Sequence, residues 1–373
     1  MRVSSKQQFF SLDRNKHGLE SEPAGPVFQL MEKGYVLSMR SLLTLSLAAT
    51  LGACATTPQG LPGFAVTASA ETEPVGTANE DAADDPAIWR NPDDPEASLI
   101  VATDKKSGLL VYDLSGRTRF TDTSGLLNNV DLATLPDGRV IVVASDRNDL
   151  AGARLRIWRL DTTNARLQPL GSVSGGTGEG YGLCLHRDRD RLLAYSVLKE
   201  GAIHEYELDL ASTPTGNLLR TMELDTQAEG CVVDPADGTL FVGEEDAGIW
   251  RFAPGSTDGE LVAPIDGQYL VADVEGLALI QDGGHKFLIA SSQGDNAFAV
   301  FALPEVRPLG RFRIAAGQFG AVEGTDGIEV AAGSFGPAYP EGLFVAQDGQ
   351  NAPGAQNFKL VSWAEVKSVL ETR

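Results

Sequence analysis

Residues 228–252 read AEGCVVDPADGTLFVGEEDAGIWRF, one complete unit of a repeated β structure. Glu229 and Gly230 precede a short apolar run. A Pro/Asp/Gly turn at 234–238 leads into a second run at 240–242, and an acidic hairpin loop (Glu244, Glu245, Asp246) joins it to a third at 249–252. Apolar runs of period two, punctuated by turn residues, are strand and hairpin signals.

The same hairpin can be followed in both directions. It occurs as SLIVATDKKSGLLVYDL (98–114), VIVVASDRNDLAGARLRIWRL (140–160), RLLAYSVLKEGAIHEYEL (191–208), TLFVGEEDAGIWRF (239–252), KFLIASSQGDNAFAVFAL (286–303) and EGLFVAQDGQNAPGAQNFKLVSW (341–363). The starts lie roughly 40 to 55 residues apart, the period of four-stranded propeller blades. Each hairpin follows an acidic residue set just before a short apolar run: Asp84-Asp85, Asp131, Glu179, Glu229, Glu275 and Asp326. A helical apolar period occurs only near 363–370. The expected fold is all-β, a six-bladed β-propeller over 64–371. Residues 64–75 can supply an outer strand to the last blade, which closes the ring and removes an exposed sheet edge.

The chain carries a formal charge of −21, and beyond residue 53 there are 24 basic and 47 acidic side chains, so the excess belongs to the propeller region. That balance argues against a nucleic-acid partner. At the N-terminus, Met39-Arg40-Ser41 and LLTLSLAATLGAC form a basic head, a short apolar stretch and a lipobox ending at Cys54, so 39–54 reads as a lipoprotein signal with Cys54 lipidated. An ordinary secretory signal is the alternative. Residues 1–38 read as an upstream leader, with Met39 the true start, and 55–63 as a linker. Ala55 after the lipidated cysteine points towards the outer membrane, with the domain exported and tied to lipid only through its N-terminus. Cys184 and Cys231 sit in apolar runs without a CxxC motif and read as buried free thiols, with pairing open if the two runs are adjacent.

In a propeller blade, the chain entering the innermost strand and the loop between the second and third strands share one face. The hairpin loops therefore join the carboxylates there: Lys105-Lys106, Arg147, Lys199, Glu244-Glu245-Asp246, Gln293 and Asp348 in blade order. Blades one to three bring cations to this face, and blades four to six bring carboxylates and amides. Crowded carboxylates repel unless a cation neutralises them. An all-oxygen set suits Ca²⁺ rather than zinc or copper, and His186, His204 and His285 form no ligand-spaced set. Lysine and arginine opposite bound calcium suit a phosphate polyanion. The plainer alternative makes each acidic turn an Asx turn and each lysine a solvated loop tip.

These residues resemble the β-propeller phytases, calcium-dependent bacterial enzymes of six blades. The landmarks are AETEPV (70–75), DAADDPAIW (81–89), DKKSGLLVYDL (104–114), LNNVDL (127–132), QAEGCVVD (227–234), GEEDAGIWRF (243–252), ADVEGLALI (272–280), ASSQGDNAF (290–298), TDGIEV (325–330) and GLFVAQDGQN (342–351). The resemblance implies a 3-phytase that hydrolyses phosphate monoesters of phytate, taken as its calcium complex, by metal-activated water. It places Glu71, Asp84, Asp85, Asn129, Glu229, Glu245, Asp273, Glu275, Gln293, Asp326 and Asp348 in or near the calcium shell. It gives Lys105, Lys106, Arg147, Tyr181 and Lys199 to phosphate, with Glu229, Glu245, Lys105 and Arg147 as the catalytic group. A monomer is expected. The family's Asp-Gly-Thr ahead of TDGI is absent: the chain has Phe319-Gly320-Ala321-Val322-Glu323-Gly324, with Glu323 a candidate substitute. The competing readings are a non-catalytic propeller lipoprotein that binds an anionic ligand or protein partner, and a propeller lactonase or phosphotriesterase. Four cationic side chains at the site disfavour the latter, whose neutral ester has no use for them.

Overall fold

The run Val140–Ala144 shows why these strands are apolar throughout rather than alternating with polar residues. Val140, Val142 and Ala144 pack with Ala87, Val101 and Val111 of the preceding blade, while Ile141 and Val143 pack with Leu183, Ala194 and Tyr206 of the following one. Side chains of successive strand residues point to opposite faces, so a sheet packed between two others must be apolar on both. The computed structural model describes residues 59–371. In it, six such interfaces alternate with six sheets, and each hydrophobic cluster joins two neighbouring sheets. This is the six-bladed β-propeller expected from the repeat.

The innermost strands are Ala83–Trp89, Leu127–Thr134, Gly180–Asp188, Ala228–Val233, Val274–Asp282 and Ile328–Ala332, from blade one to blade six. Each pairs antiparallel with the first arm of its hairpin. Ring closure uses both ends of the chain: Ala70–Glu71 is the outer strand of blade six, pairing with Asn357–Ser362. Phe64–Thr67 adds a fifth strand to blade five, parallel to Arg307–Ala315. The end of the stretch read as a linker is already docked, with the Gly60 N–H donating to Asp295 at 2.8 Å and the Leu61 N–H to the Gln268 carbonyl at 2.8 Å. The leader, the signal segment and Cys54 lie outside the described residues.

The reading of Cys184 and Cys231 as free thiols is corrected. Their strands are the innermost strands of blades three and four, which pack side by side, and the two cysteines form a disulfide with a Cα–Cα distance of 5.7 Å.

Candidate active site

Five of the six inner strands break register at the same level. The interruptions fall at Asp84-Asp85, Asn128-Asn129, Tyr181-Gly182, Glu229-Gly230 and Glu275-Gly276, and blade six opens with Asp326-Gly327 at the corresponding point. A bulge puts two residues where the partner strand has one and re-aims their side chains. The first residues of these pairs, Asp84, Asn128, Tyr181, Glu229, Glu275 and Asp326, form an inner ring. The second residue is glycine in four blades because neighbouring backbones meet there. A Cβ on Gly182 would lie 1.9 Å from the Glu229 carbonyl oxygen, one on Gly230 2.3 Å from that of Glu275, and one on Gly276 2.6 Å from that of Asp326.

The hairpin loops meet this ring as the topology required. Two residues before each bulge, a carbonyl accepts the N–H of a loop residue: Ala82 from Lys105, Leu126 from Arg147, Glu179 from Lys199, Gln227 from Glu245 and Asp273 from Gln293. Lys105, Arg147, Lys199, Glu245 and Gln293 therefore occupy equivalent places in an outer ring, and in blade six Gly349 bonds the Glu323 carbonyl.

On the acidic side, Glu229, Glu245 and Glu275 each present an oxygen within 4.8 Å of the others, and all three are buried. Burial first, then the charges of Asp84 and Glu275, push Glu229 well above the usual carboxylate range. Burial and then Asp326 and Glu245 do the same to Glu275. Burial followed by Asp84 lifts Asp326 to about 7. Gln227 donates to Glu245 at 2.5 Å and to the Tyr181 hydroxyl at 3.1 Å, and Gln293 donates to Asp326 at 2.7 Å. Burial and then the Asp246 charge raise Asp273, and burial, with Asp273 and Asp246 adding their charges, raises Glu245.

On the cationic side, the Arg147 guanidinium and the Lys199 ammonium both lie over the Tyr181 ring, 5.5 and 5.1 Å from its centroid. Arg147 also donates to Asn128 Oδ1 at 2.5 Å and pairs with Glu179, while Asn128 Nδ2 donates to Glu229 at 2.6 Å. One buried amide thus ties the leading arginine to the central carboxylate. Lys106 is exposed on its loop.

Several expected residues sit elsewhere. Glu179 is not an inner-ring residue: it precedes the bulge and is the partner of Arg147. Asp131 lies three residues beyond Asn128, where its carboxylate accepts the Leu185 N–H at 2.7 Å. There it joins Asp85 and Glu329 along a narrow axial channel with about 30 Å³ of free space. Asp85 accepts the Val130 N–H at 3.0 Å. Asn129, with its amide turned to donate, reaches the Tyr181 carbonyl at 3.0 Å and Glu229 at 2.9 Å. Glu71 and Asp348 are drawn to the fully buried ammonium of Lys359, at 2.5 and 3.0 Å, with Asn351 and Asn357 completing its shell. Lys105, assigned to phosphate by resemblance, lies among Asp81, Asp84 and Asp326. Glu323 is exposed, and it is the backbone N–H that approaches Asp348, at 3.4 Å. Asn128, Gln227, Asp81 and Lys359 escaped the sequence reading. A residue followed by glycine marks the inner ring in blades three to six, but in blade three both Glu179 and Tyr181 precede a glycine, so the cue alone does not separate them. Blade two has no such glycine to mark Asn128.

The donor set fits a hard cation. Asp84 Oδ1 and Glu275 Oε2 are buried without a hydrogen-bond partner, and every donor in the acidic cluster is oxygen. The family model described as Phytase matches residues 33–373. The chain belongs to the phytase family. It is 37% identical over 324 residues to a 3-phytase of Bacillus subtilis (strain 168), covering 81% of this chain and 85% of that one. Among solved structures, a chain of the mitotic checkpoint complex aligns with a TM-score of 0.47 at 13% identity, covering 82% of this chain and 84% of that one. The major Malassezia sympodialis allergen Mala s 1 aligns with a TM-score of 0.48 at 11% identity, covering 74% and 95%.

Proposed function

We propose that this phytase releases inorganic phosphate from phytate with several calcium ions as its cofactor, using water as the nucleophile. The observation that carries the reading is the juxtaposition of the Glu229, Glu245 and Glu275 cluster, together with the unpartnered oxygens of Asp84 and Glu275, with Arg147 and Lys199 of blades two and three. Calcium bound by Asp84, Glu229, Glu245, Asp273, Glu275, Gln293 and Asp326 would supply charge to neutralise phosphoryl oxygens and lower the pKa of water.

The protein's own groups do the rest. Arg147 and Lys199 present cations to the substrate phosphates, and the Tyr181 ring keeps both on the substrate side. Asn128 and Gln227 hold Glu229 and Glu245 in place by donating one hydrogen bond to each. Reaction by water calls for no covalent nucleophile, and both cysteines of the described domain are tied in the disulfide.

The pairing of Cys184 with Cys231 also supports an oxidising compartment, in line with export and lipidation at Cys54. The enzymatic reading is tested by phosphate release from phytate at neutral to alkaline pH, with and without a calcium chelator. Release should stop in chelator and return with calcium; release that persists in chelator refutes the metal-dependent mechanism. Glu229→Gln should lower turnover by at least about 100-fold with little change in the circular dichroism spectrum.

A further inference from the structure

We propose that Lys105 is an exchangeable internal cation. In the metal-free protein its ammonium holds the carboxylates of Asp81, Asp84 and Asp326 together, and metal entry displaces it towards the substrate anion. This rests on the metal-dependent reading above.

The geometry is specific to this lysine. Its Nζ lies 2.8 Å from Asp81 Oδ2, 2.9 Å from Asp84 Oδ2 and 2.8 Å from Asp326 Oδ2, and its side chain is 12% exposed. The ammonium donates to Asp326 and is ion-paired with Asp81 and Asp84, so its charge is shared among three carboxylates. In this arrangement the Lys105 ammonium is committed to the carboxylates rather than to a phosphate. Burial works against its charge, but Asp84, Asp326 and Asp81 outweigh burial and hold it protonated far above its usual range. The next residue, Lys106, is exposed on the same loop. The outer ring thus contains one cation turned inward among the acids, while its ring mates Arg147 and Lys199 lie over Tyr181.

Asp84 and Asp326 belong to the inner ring, and Asp84 has a second oxygen buried without a partner. A hard cation seated there needs the same two carboxylates that Lys105 now occupies. The ammonium and a dication that share these oxygens repel each other, so binding of one weakens binding of the other, and by linkage the effect is mutual. In the absence of metal, Lys105 prevents two buried carboxylates from facing each other uncompensated. Once displaced, its long flexible stem lets the ammonium turn to an anion over the same face.

The exchange can be read on the unmodified mature protein by pulse labelling with an amine-acylating reagent, followed by peptide mass spectrometry. With chelator Lys105 should be protected, and with Ca²⁺ alone it should label at least about fivefold faster. Inorganic phosphate added to the calcium form should protect it again, while labelling of Lys106 stays constant throughout. In calorimetry with Ca²⁺ alone, Lys105→Met should tighten one site by about tenfold while lowering the melting temperature in chelator. Equal Lys105 labelling with and without calcium overturns the exchange, as does unchanged or weaker calcium affinity in Lys105→Met. If the wild-type protein gives no calcium binding at all, the metal reading and the exchange fall together. Calcium binding with indifferent Lys105 removes only the exchange. Should Lys105→Met fail to fold, the wild-type labelling decides alone.

Discussion

Replacing Cys184 and Cys231 together with alanine removes the covalent link between the innermost strands of blades three and four. The two residues are 47 apart in sequence. A cross-link closing a loop of that length restricts the unfolded chain by an entropy worth about 4 kcal/mol at 25 °C on the loop-closure relation. The two sulfurs also fill part of a sealed interface among Tyr195, Val197, Val233 and Val242, so the alanines leave a small void that adds to the loss. With a urea m-value near the upper end of the usual range, about 3 kcal/mol per molar, the midpoint should drop by at least about 1 M. The assay is urea unfolding followed by fluorescence, on the wild-type protein with and without reductant and on the double variant. Reduced wild type and the variant should unfold at similar urea concentrations, both well below the oxidised protein. Coincident midpoints for oxidised and reduced wild type, or two titratable thiols in the denatured unreduced protein, would refute the reasoning. The staple lies three residues beyond Tyr181 and two beyond Glu229, so loosening it should also weaken substrate affinity more than a remote destabilising mutation of equal size.

Gly230→Ala places a Cβ 2.3 Å from the Glu275 carbonyl oxygen. It should destabilise by about 1–3 kcal/mol or more and spread the Glu229 and Glu275 pair, read as a lowered melting temperature together with weakened calcium binding. Asn128→Ala frees Arg147 from its tie to Glu229 and should raise KM and lower kcat together, about 10- to 100-fold in kcat/KM; an unchanged kcat/KM would show that Asn128 is only packing. In the axial channel, burial and then the Asp131 charge raise Glu329 to about 8, and burial raises Asp131 to about 6. A raised carboxylate keeps in the folded state a proton that the unfolded chain releases, so this contribution to stability is complete below about pH 4 and lost as pH climbs to about 8. Glu329→Gln should therefore leave the chelated protein nearly unchanged at pH 5 and stabilise it by about 2–4 kcal/mol at pH 9; parallel melting-temperature profiles would contradict it.

Much of the architecture was legible because it is written locally. Runs such as 140–144 and 240–242 declare strands, and turns such as Pro235 to Gly238 declare hairpins. Six recurrences declare the blades, and blade topology alone puts Glu229 and Glu245 on one face despite the fifteen residues between them. Residue type was legible too: oxygen donors on three blades and cations on three others point to a metal and an anion whatever the exact geometry.

What the sequence could not determine is which of these groups meet. Asp131 and Glu179 have the same composition cue as Glu229, but the register break decides which residue enters the inner ring, and in blades two and three this is Asn128 and Tyr181. Glu71 and Asp348 look like further ligands until ring closure brings Lys359 between them. Cys184 and Cys231 look like separate core residues until two inner strands pack side by side. The sequence by itself determined a six-bladed propeller with an acidic and a basic side on one face. The tertiary structure decided the pairings, because a charge or a thiol acts on whatever lies within a few ångströms, and around a closed ring those neighbours come from strands far apart in the chain.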